Sequence, residues 1–107
     1  MKTLTTLFFA TSLLTASAAG GDWPQWRGPD RTDVSRETGL LKSWPEGGPA
    51  RVWLFDGAGL GYAGPAIAGG KLFTMGIRDG SEWLIAVDAA TGKELWAAKI
   101  GSVLKNN

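Results

Sequence analysis

The residues with the clearest chemical potential lie in the stretch AVDAATGKELW, from Ala86 to Trp96. Asp88 is expected to end a strand, where its carboxylate can accept backbone N–H groups of the following turn. Catalysis would require a partner for this carboxylate, but the sequence contains no His and no Cys, which are the commonest general base and the usual thiolate ligands. We therefore predict no catalytic, cofactor-binding or metal-binding residue in this chain, and a structural role for Asp88.

The same stretch also has the residue types of a tight turn. Thr91 can hydrogen-bond within such a turn, and Gly92 can adopt a positive φ without steric cost. Trp96 lies on the predicted return strand, and its indole is large enough to lie back across the turn. The stretch is thus predicted to form a hairpin and to offer a packing surface to another sheet.

A glycine-rich motif at residues 59–64, GLGYAG, matches the pattern G-x-G-x-x-G of dinucleotide-binding loops. That fingerprint must open a helix whose N-terminus holds the pyrophosphate. Here Pro65 follows at once, and Gly69 and Gly70 interrupt the chain again. We therefore predict a connecting segment at this position.

The segment WPQWRGP, residues 23–29, combines two Trp, one Arg and two Pro. This composition could hold a peptide or a sugar through aromatic stacking and a guanidinium group. The favoured interpretation is that Trp23 and Trp26 instead insert into apolar gaps of the fold, because rigid Pro and Trp residues dock an irregular segment at low entropic cost.

The composition is that of a soluble globular domain, with 44% hydrophobic and 20% charged residues in a chain of 107. Residues 1–18 are predicted to be a signal peptide, because Lys2 precedes an apolar run over 4–14 and Ala16 and Ala18 form the small-x-small pattern that precedes a cleavage site. The mature chain would be extracytoplasmic, either periplasmic or secreted, without a membrane span. Without Lys2 the mature chain has ten basic and ten acidic residues, so no nucleic-acid partner is predicted.

Two regions follow the predicted signal peptide. Residues 19–49 are rich in Gly, Pro, Trp and charge and predict an irregular leader, in which Ser35 and Gly39 could bound a helical turn over 36–42. The part after residue 49 predicts five strands separated by glycine-containing turns. The predicted strands are RVWLF (51–55), GPAIAGG (64–70), KLFTMGI (71–77), EWLIAVD (82–88) and ELWAAKI (94–100).

Trp53 and Trp96 occupy similar places in two of these strands, 43 residues apart, which is the repeat length of propeller blades. The pattern Ala-x-Asp-x-x-Thr-Gly-x-x-x-Trp resembles the tryptophan-docking motif of the PQQ-type β-propeller repeat (PQQ, pyrroloquinoline quinone). GPAIAGGKLF (64–73) and the leader with RVWLF (22–55) also resemble segments of that family. The residues that match the docking motif are Ala86, Asp88, Thr91, Gly92 and Trp96.

The resemblance implies an all-β fold, with residues 50–107 as a partial propeller domain. This domain would contain the first four-stranded antiparallel blade and an early strand, 51–55, that closes the last blade. In this family the docking motif packs blade against blade. The chain would then be the N-terminal fragment of a larger protein, with the remaining blades as its partners. Alone it is expected to aggregate or stay largely unfolded, because strand 51–55 would be an exposed apolar edge.

Three functions remain open from the sequence. The resemblance implies a non-catalytic scaffold or binding module, with envelope proteins as further partners. An alternative is a fragment of a PQQ-dependent alcohol or sugar dehydrogenase, which would bring PQQ and calcium as cofactors. The third is a small secreted carbohydrate-binding β-domain, which would be a compact folded monomer.

Overall fold

The computed structural model describes residues 21–104, and these form one open antiparallel sheet with no helix in that range. The strands lie side by side in chain order, β1-β2-β3-β4. The prediction of an all-β fold with a four-stranded antiparallel sheet is confirmed. The strands are β1 (Ala66–Ala68), β2 (Lys71–Arg78), β3 (Ser81–Asp88) and β4 (Glu94–Ser102).

Local turn chemistry fixes the strand boundaries. Between β2 and β3 the chain reverses at Asp79 and Gly80, which have φ of 49° and 70° and so give the left-handed conformation that a two-residue hairpin needs. Predicted strands 71–77, 82–88 and 94–100 match β2, β3 and β4 to within two residues. The predicted strand over 64–70 is shorter, because only 66–68 pair with β2.

Residues 51–55 pair with no strand of the described part of the chain. Trp53 and Phe55 pack on the sheet, whereas Val52 and Leu54 are exposed. The expected role of this segment in the last blade stays a prediction, because it needs strands that the described residues do not include.

One prediction of local structure is wrong. No helical turn forms over 36–42. Ser35 Oγ does accept a hydrogen bond from the Glu37 amide at 3.2 Å, but the local cap is not followed by a helix. The predicted signal peptide, 1–18, lies outside the described residues.

The two faces of the sheet follow from strand alternation and register. On one face, which we call the covered face, Leu72 pairs with Val87 and Thr74 with Ile85. On the other, which we call the open face, lie Phe73, Met75, Leu84, Ala86 and Trp96. The core is small and lies in β3, where Ile85, Ala86 and Val87 are fully buried.

Residues 53–58, which we call the covering segment, lie over the covered face. Trp53, Phe55 and Ala58 share with this face an apolar pocket of about 210 Å³. The approach is close at Gly76, where a side chain would overlap the carbonyl oxygen of Ala58. Just beyond the covering segment, Leu60 forms a β-bridge with Ile77, with N···O distances of 3.1 and 2.7 Å. The covering segment is therefore held against β2 through the backbone.

Candidate functional site

The turn between β3 and β4 is organised by the carboxylate of Asp88. Its Oδ1 accepts hydrogen bonds from the Thr91 hydroxyl at 2.8 Å, the Thr91 amide at 2.8 Å and the Ala90 amide at 3.1 Å. These bonds, first of all the one from the Thr91 hydroxyl, hold the pKa of Asp88 below its ordinary value. The Gly92 amide donates to the Asp88 carbonyl at 2.8 Å and closes the turn. The carboxylate of Asp88 therefore accepts backbone N–H groups of the following turn, as the sequence predicts.

The side chain of Trp53 packs on this turn. Its Nε1 donates to the Ala89 carbonyl at 3.0 Å. Its ring lies against Gly92, where a Cβ would come within 2.7 Å of the indole. Gly92 also has a φ of 71°, so this glycine satisfies both the turn conformation and the close approach of the ring. The turn thus acts as a receptor for an indole, with one acceptor and one flat surface.

An ion pair fixes the segment that carries Trp53. The Arg78 guanidinium binds the Glu94 carboxylate through two hydrogen bonds, of 2.8 and 3.2 Å, and lies 6.0 Å from the centre of the Phe55 ring. The hydrogen bond from Arg78 lowers the pKa of Glu94. Phe55 is thereby held by a cation–π contact, two residues after Trp53.

Trp96 lies elsewhere, on the open face. Its ring packs beside that of Phe73, with 6.1 Å between ring centroids and an interplanar angle of 51°. Trp96 and Met75 are each 42% exposed. The indole found against Gly92 is that of Trp53 and not, as expected, that of Trp96. The five motif residues thus build a turn and an exposed indole, and the described residues place no second turn beside that indole.

Trp53 is the residue whose contact with the turn the sequence interpretation missed. The spacing of 43 residues between Trp53 and Trp96 was the available signal, because it lies in the range of propeller repeat lengths. The turn that receives Trp53 lies directly before Trp96 in the chain. If the two positions are equivalent, the partner for Trp96 is a second turn of the same kind.

Other candidate sites resolve more simply. The glycine-rich motif 59–64 leads into β1 and not into a helix, so the geometry of a dinucleotide loop is not formed there. Residues 21–104 contain no group of three or more acidic, His or Cys side chains placed to hold a metal ion. In the same range no helix is long and apolar enough to cross a bilayer.

Trp23 and Trp26 of the leader have different environments. Trp23 pairs through its backbone with Ile67 at the edge of β1, with two N···O distances of 2.8 Å, and its ring lies on Gly28. Trp26, by contrast, is 79% exposed. Trp23 is therefore docked, whereas Trp26 inserts into no gap among the described residues, and its insertion between further parts of the fold stays a prediction.

A scan of family models, a search of curated proteins and a search of solved structures found no match to this chain. The resemblance to the PQQ-type propeller repeat therefore depends on the quoted motifs.

Proposed function

We propose that this chain supplies the first blade of a PQQ-like β-propeller and acts as a non-catalytic scaffold or binding module. The observation that carries the proposal is the docking of Trp53 on the Asp88–Gly92 turn through Ala89 and Gly92. Trp96 sits 43 residues after Trp53. An identical contact between Trp96 and the turn of a further blade would extend the array by one unit.

The open face supports the same proposal through its chemistry. The open face carries a continuous apolar surface, made of Phe73 and Met75 on β2, Leu84 on β3 and Trp96 on β4. Covering the exposed parts of Met75 and Trp96 would contribute about 1 kcal/mol for each side chain. A sheet with one face covered by its own chain and an apolar second face is suited to stacking against another sheet.

The partners in this proposal are the other blades, whether they follow in the same polypeptide or belong to another chain. Each should carry a turn of the Asp-x-x-Thr-Gly type at intervals of about 43 residues. The predicted signal peptide places the assembly outside the cytoplasm, where envelope proteins become possible ligands of its surface.

The dehydrogenase alternative is an expectation from the resemblance. PQQ and calcium would need ligands from other blades, because residues 21–104 hold no cluster of metal-ligating side chains. Within the docking turn, Oδ1 of Asp88 accepts hydrogen bonds from the turn itself, which supports a structural role for this oxygen.

The self-association of the isolated chain tests the proposal. Light scattering after size-exclusion chromatography should show particles that grow with concentration, because no element among residues 21–104 packs over the open face. Trp96→Ser combined with Met75→Thr should shift the distribution toward monomer. Leu40→Ser is the control, since Leu40 is an apolar side chain that is more exposed than Met75 or Trp96 but lies in the leader, and it should change little.

The proposal fails if the wild-type chain is a compact monomer at every concentration with slowly exchanging amides throughout β2 to β4. It also fails if the double variant associates as strongly as the wild type. The first result would favour the free-standing β-domain.

A further inference from the structure

Two Asp–Gly pairs lie in the described part of the chain, at Asp56–Gly57 and Asp79–Gly80. An aspartyl side chain can cyclise onto a following Gly, because Gly has no side chain that shields its amide nitrogen from the carboxyl carbon. Asp56 and Asp79 are both exposed. The local sequence therefore permits this reaction at both pairs, and a difference between them has to come from the fold.

Asp79–Gly80 is the two-residue turn of the hairpin between β2 and β3. Its residues have φ of 49° and 70°, and the flanking residues Arg78 and Ser81 are paired across the hairpin. The Arg78 carbonyl also accepts a hydrogen bond from Trp83 Nε1 at 3.1 Å. A rotation within this turn would therefore separate the paired ends of two eight-residue strands.

The conformation of Asp79 opposes cyclisation. In the left-handed region ψ is about +30 to +60°. With this ψ, the Gly80 nitrogen lies nearly anti to the Cβ of Asp79 about the Cα–C bond, whereas closure of a five-membered ring requires these two atoms to be nearly eclipsed. Asp79 must therefore leave the hairpin conformation before its carboxyl group can react.

Asp56–Gly57 lies in the covering segment, which no ladder holds. Within the described range 21–104, residues 53–58 form no backbone–backbone hydrogen bond. Asp56 is also not one of the residues held at a positive φ. A rotation about its Cα–C bond can therefore bring the Gly57 nitrogen to the carboxyl carbon without breaking a backbone hydrogen bond.

We propose that Asp56–Gly57 is a site of isoaspartate formation that loosens the covering segment, and that the hairpin protects Asp79–Gly80 from the same reaction. The reaction needs only water and the chain itself, so the proposal does not depend on the proposed function.

The reaction is a cyclisation followed by a hydrolysis. The Gly57 nitrogen bonds to Cγ of the protonated Asp56 carboxyl group, and one side-chain oxygen leaves as water with the amide proton and the carboxyl proton. Water then opens the succinimide ring at one of its two carbonyl carbons. Opening at Cγ restores Asp56, whereas opening at the main-chain carbon leaves the peptide bond running through the side chain. The overall change adds and removes no atoms and no electrons.

The isoaspartyl linkage adds a methylene group to the main chain between two anchored points. The Trp53 indole is hydrogen-bonded on one side of it, and Leu60 is bridged to Ile77 on the other. The packing between these points is close, since a Cβ at Gly57 would lie 2.9 Å from the Phe55 ring. The altered main chain therefore disturbs the contact of the covering segment with β2.

Incubation of the folded chain in water enriched in oxygen-18, followed by peptide mapping, tests this site. Each ring opening leaves a heavy oxygen in the residue that cyclised, and an isoaspartyl methyltransferase separately marks the isoaspartyl product. Both signals should accumulate at Asp56 and at least about tenfold more slowly at Asp79, because reaction there awaits local opening of the hairpin. In urea that unfolds the sheet, the two rates should become similar.

Asp56→Glu and Asp79→Glu are matched variants, because each keeps the charge and a Glu–Gly pair would have to close a larger and less favourable ring. After incubation, the wild type should show faster hydrogen exchange of the Ile77 amide, which donates to the Leu60 carbonyl at 2.7 Å. Asp56→Glu should abolish this change, and Asp79→Glu should leave it intact.

Several results would overturn the proposal. Equal labelling of Asp56 and Asp79 in the folded chain, or a preference for Asp56 that persists unchanged in urea, would show that the fold does not select the site. Absence of isoaspartate at Asp56 in the folded chain, or an unchanged exchange rate of the Ile77 amide once it has formed, would contradict the site or its effect on the covering segment.

Discussion

Replacing Gly92 by Ala should destabilise the sheet by about 3 kcal/mol, for two reasons that can be separated. The backbone at Gly92 has a φ of 71°, and a non-glycine residue there costs about 1 kcal/mol. The new Cβ would also come within 2.7 Å of the Trp53 ring and displace it. This displacement removes the hydrogen bond to the Ala89 carbonyl, worth about 1 kcal/mol, and a similar amount of apolar packing.

Gly80→Ala is a closely matched control. Gly80 has a φ of 70°, and a Cβ there would meet no atom within 4 Å. This change should therefore cost only the conformational share, about 1 kcal/mol. The difference of about 2 kcal/mol between the two variants measures the contact of Trp53 with the turn.

Urea unfolding followed by circular dichroism gives these values, at concentrations where the midpoint does not change on dilution. A double-mutant cycle completes the test. In a Trp53→Ala background, Gly92→Ala should cost only about 1 kcal/mol, because the clash no longer exists. If Gly92→Ala and Gly80→Ala are equally costly, or if the cycle shows no coupling, the docking of Trp53 does not stabilise the fold.

Two further perturbations address the turn and the covering segment. The pKa of Asp88 is lowered in the folded state, chiefly by the Thr91 hydroxyl. The stability that this carboxylate contributes is therefore present above pH about 4 and is lost as the pH falls further. Urea midpoints should show that Asp88→Asn is less stable than the wild type at neutral pH, and that its stability changes less on acidification. Gly76→Ala should push the covering segment away from β2 and cost about 1–3 kcal/mol. The expected readout is faster hydrogen exchange of the Ile77 amide. Gly101→Ala is the control, because a Cβ there would meet no atom within 4 Å, and it should leave this exchange rate unchanged.

The strands that the sequence predicted best are those set by local signals. Apolar alternation and glycine turns specify β2, β3 and β4 within a few residues of each boundary. Residues 51–55 have the same β-type composition but no ladder partner, because pairing depends on residues far away in the chain. Composition therefore indicates an extended segment here, and its expected pairing in a last blade stays a prediction.

The contact of Trp53 with the turn could not be predicted from local sequence either, because it joins distant parts of the chain. Trp53 bonds to a carbonyl 36 residues later in the chain, whereas Trp96 is four residues from the turn and looked like its natural cover. Which of the two indoles reaches the turn depends on the path of the covering segment. The leader shows the same limit, since WPQW contains two tryptophans and only the backbone pairing of Trp23 with Ile67 separates their roles.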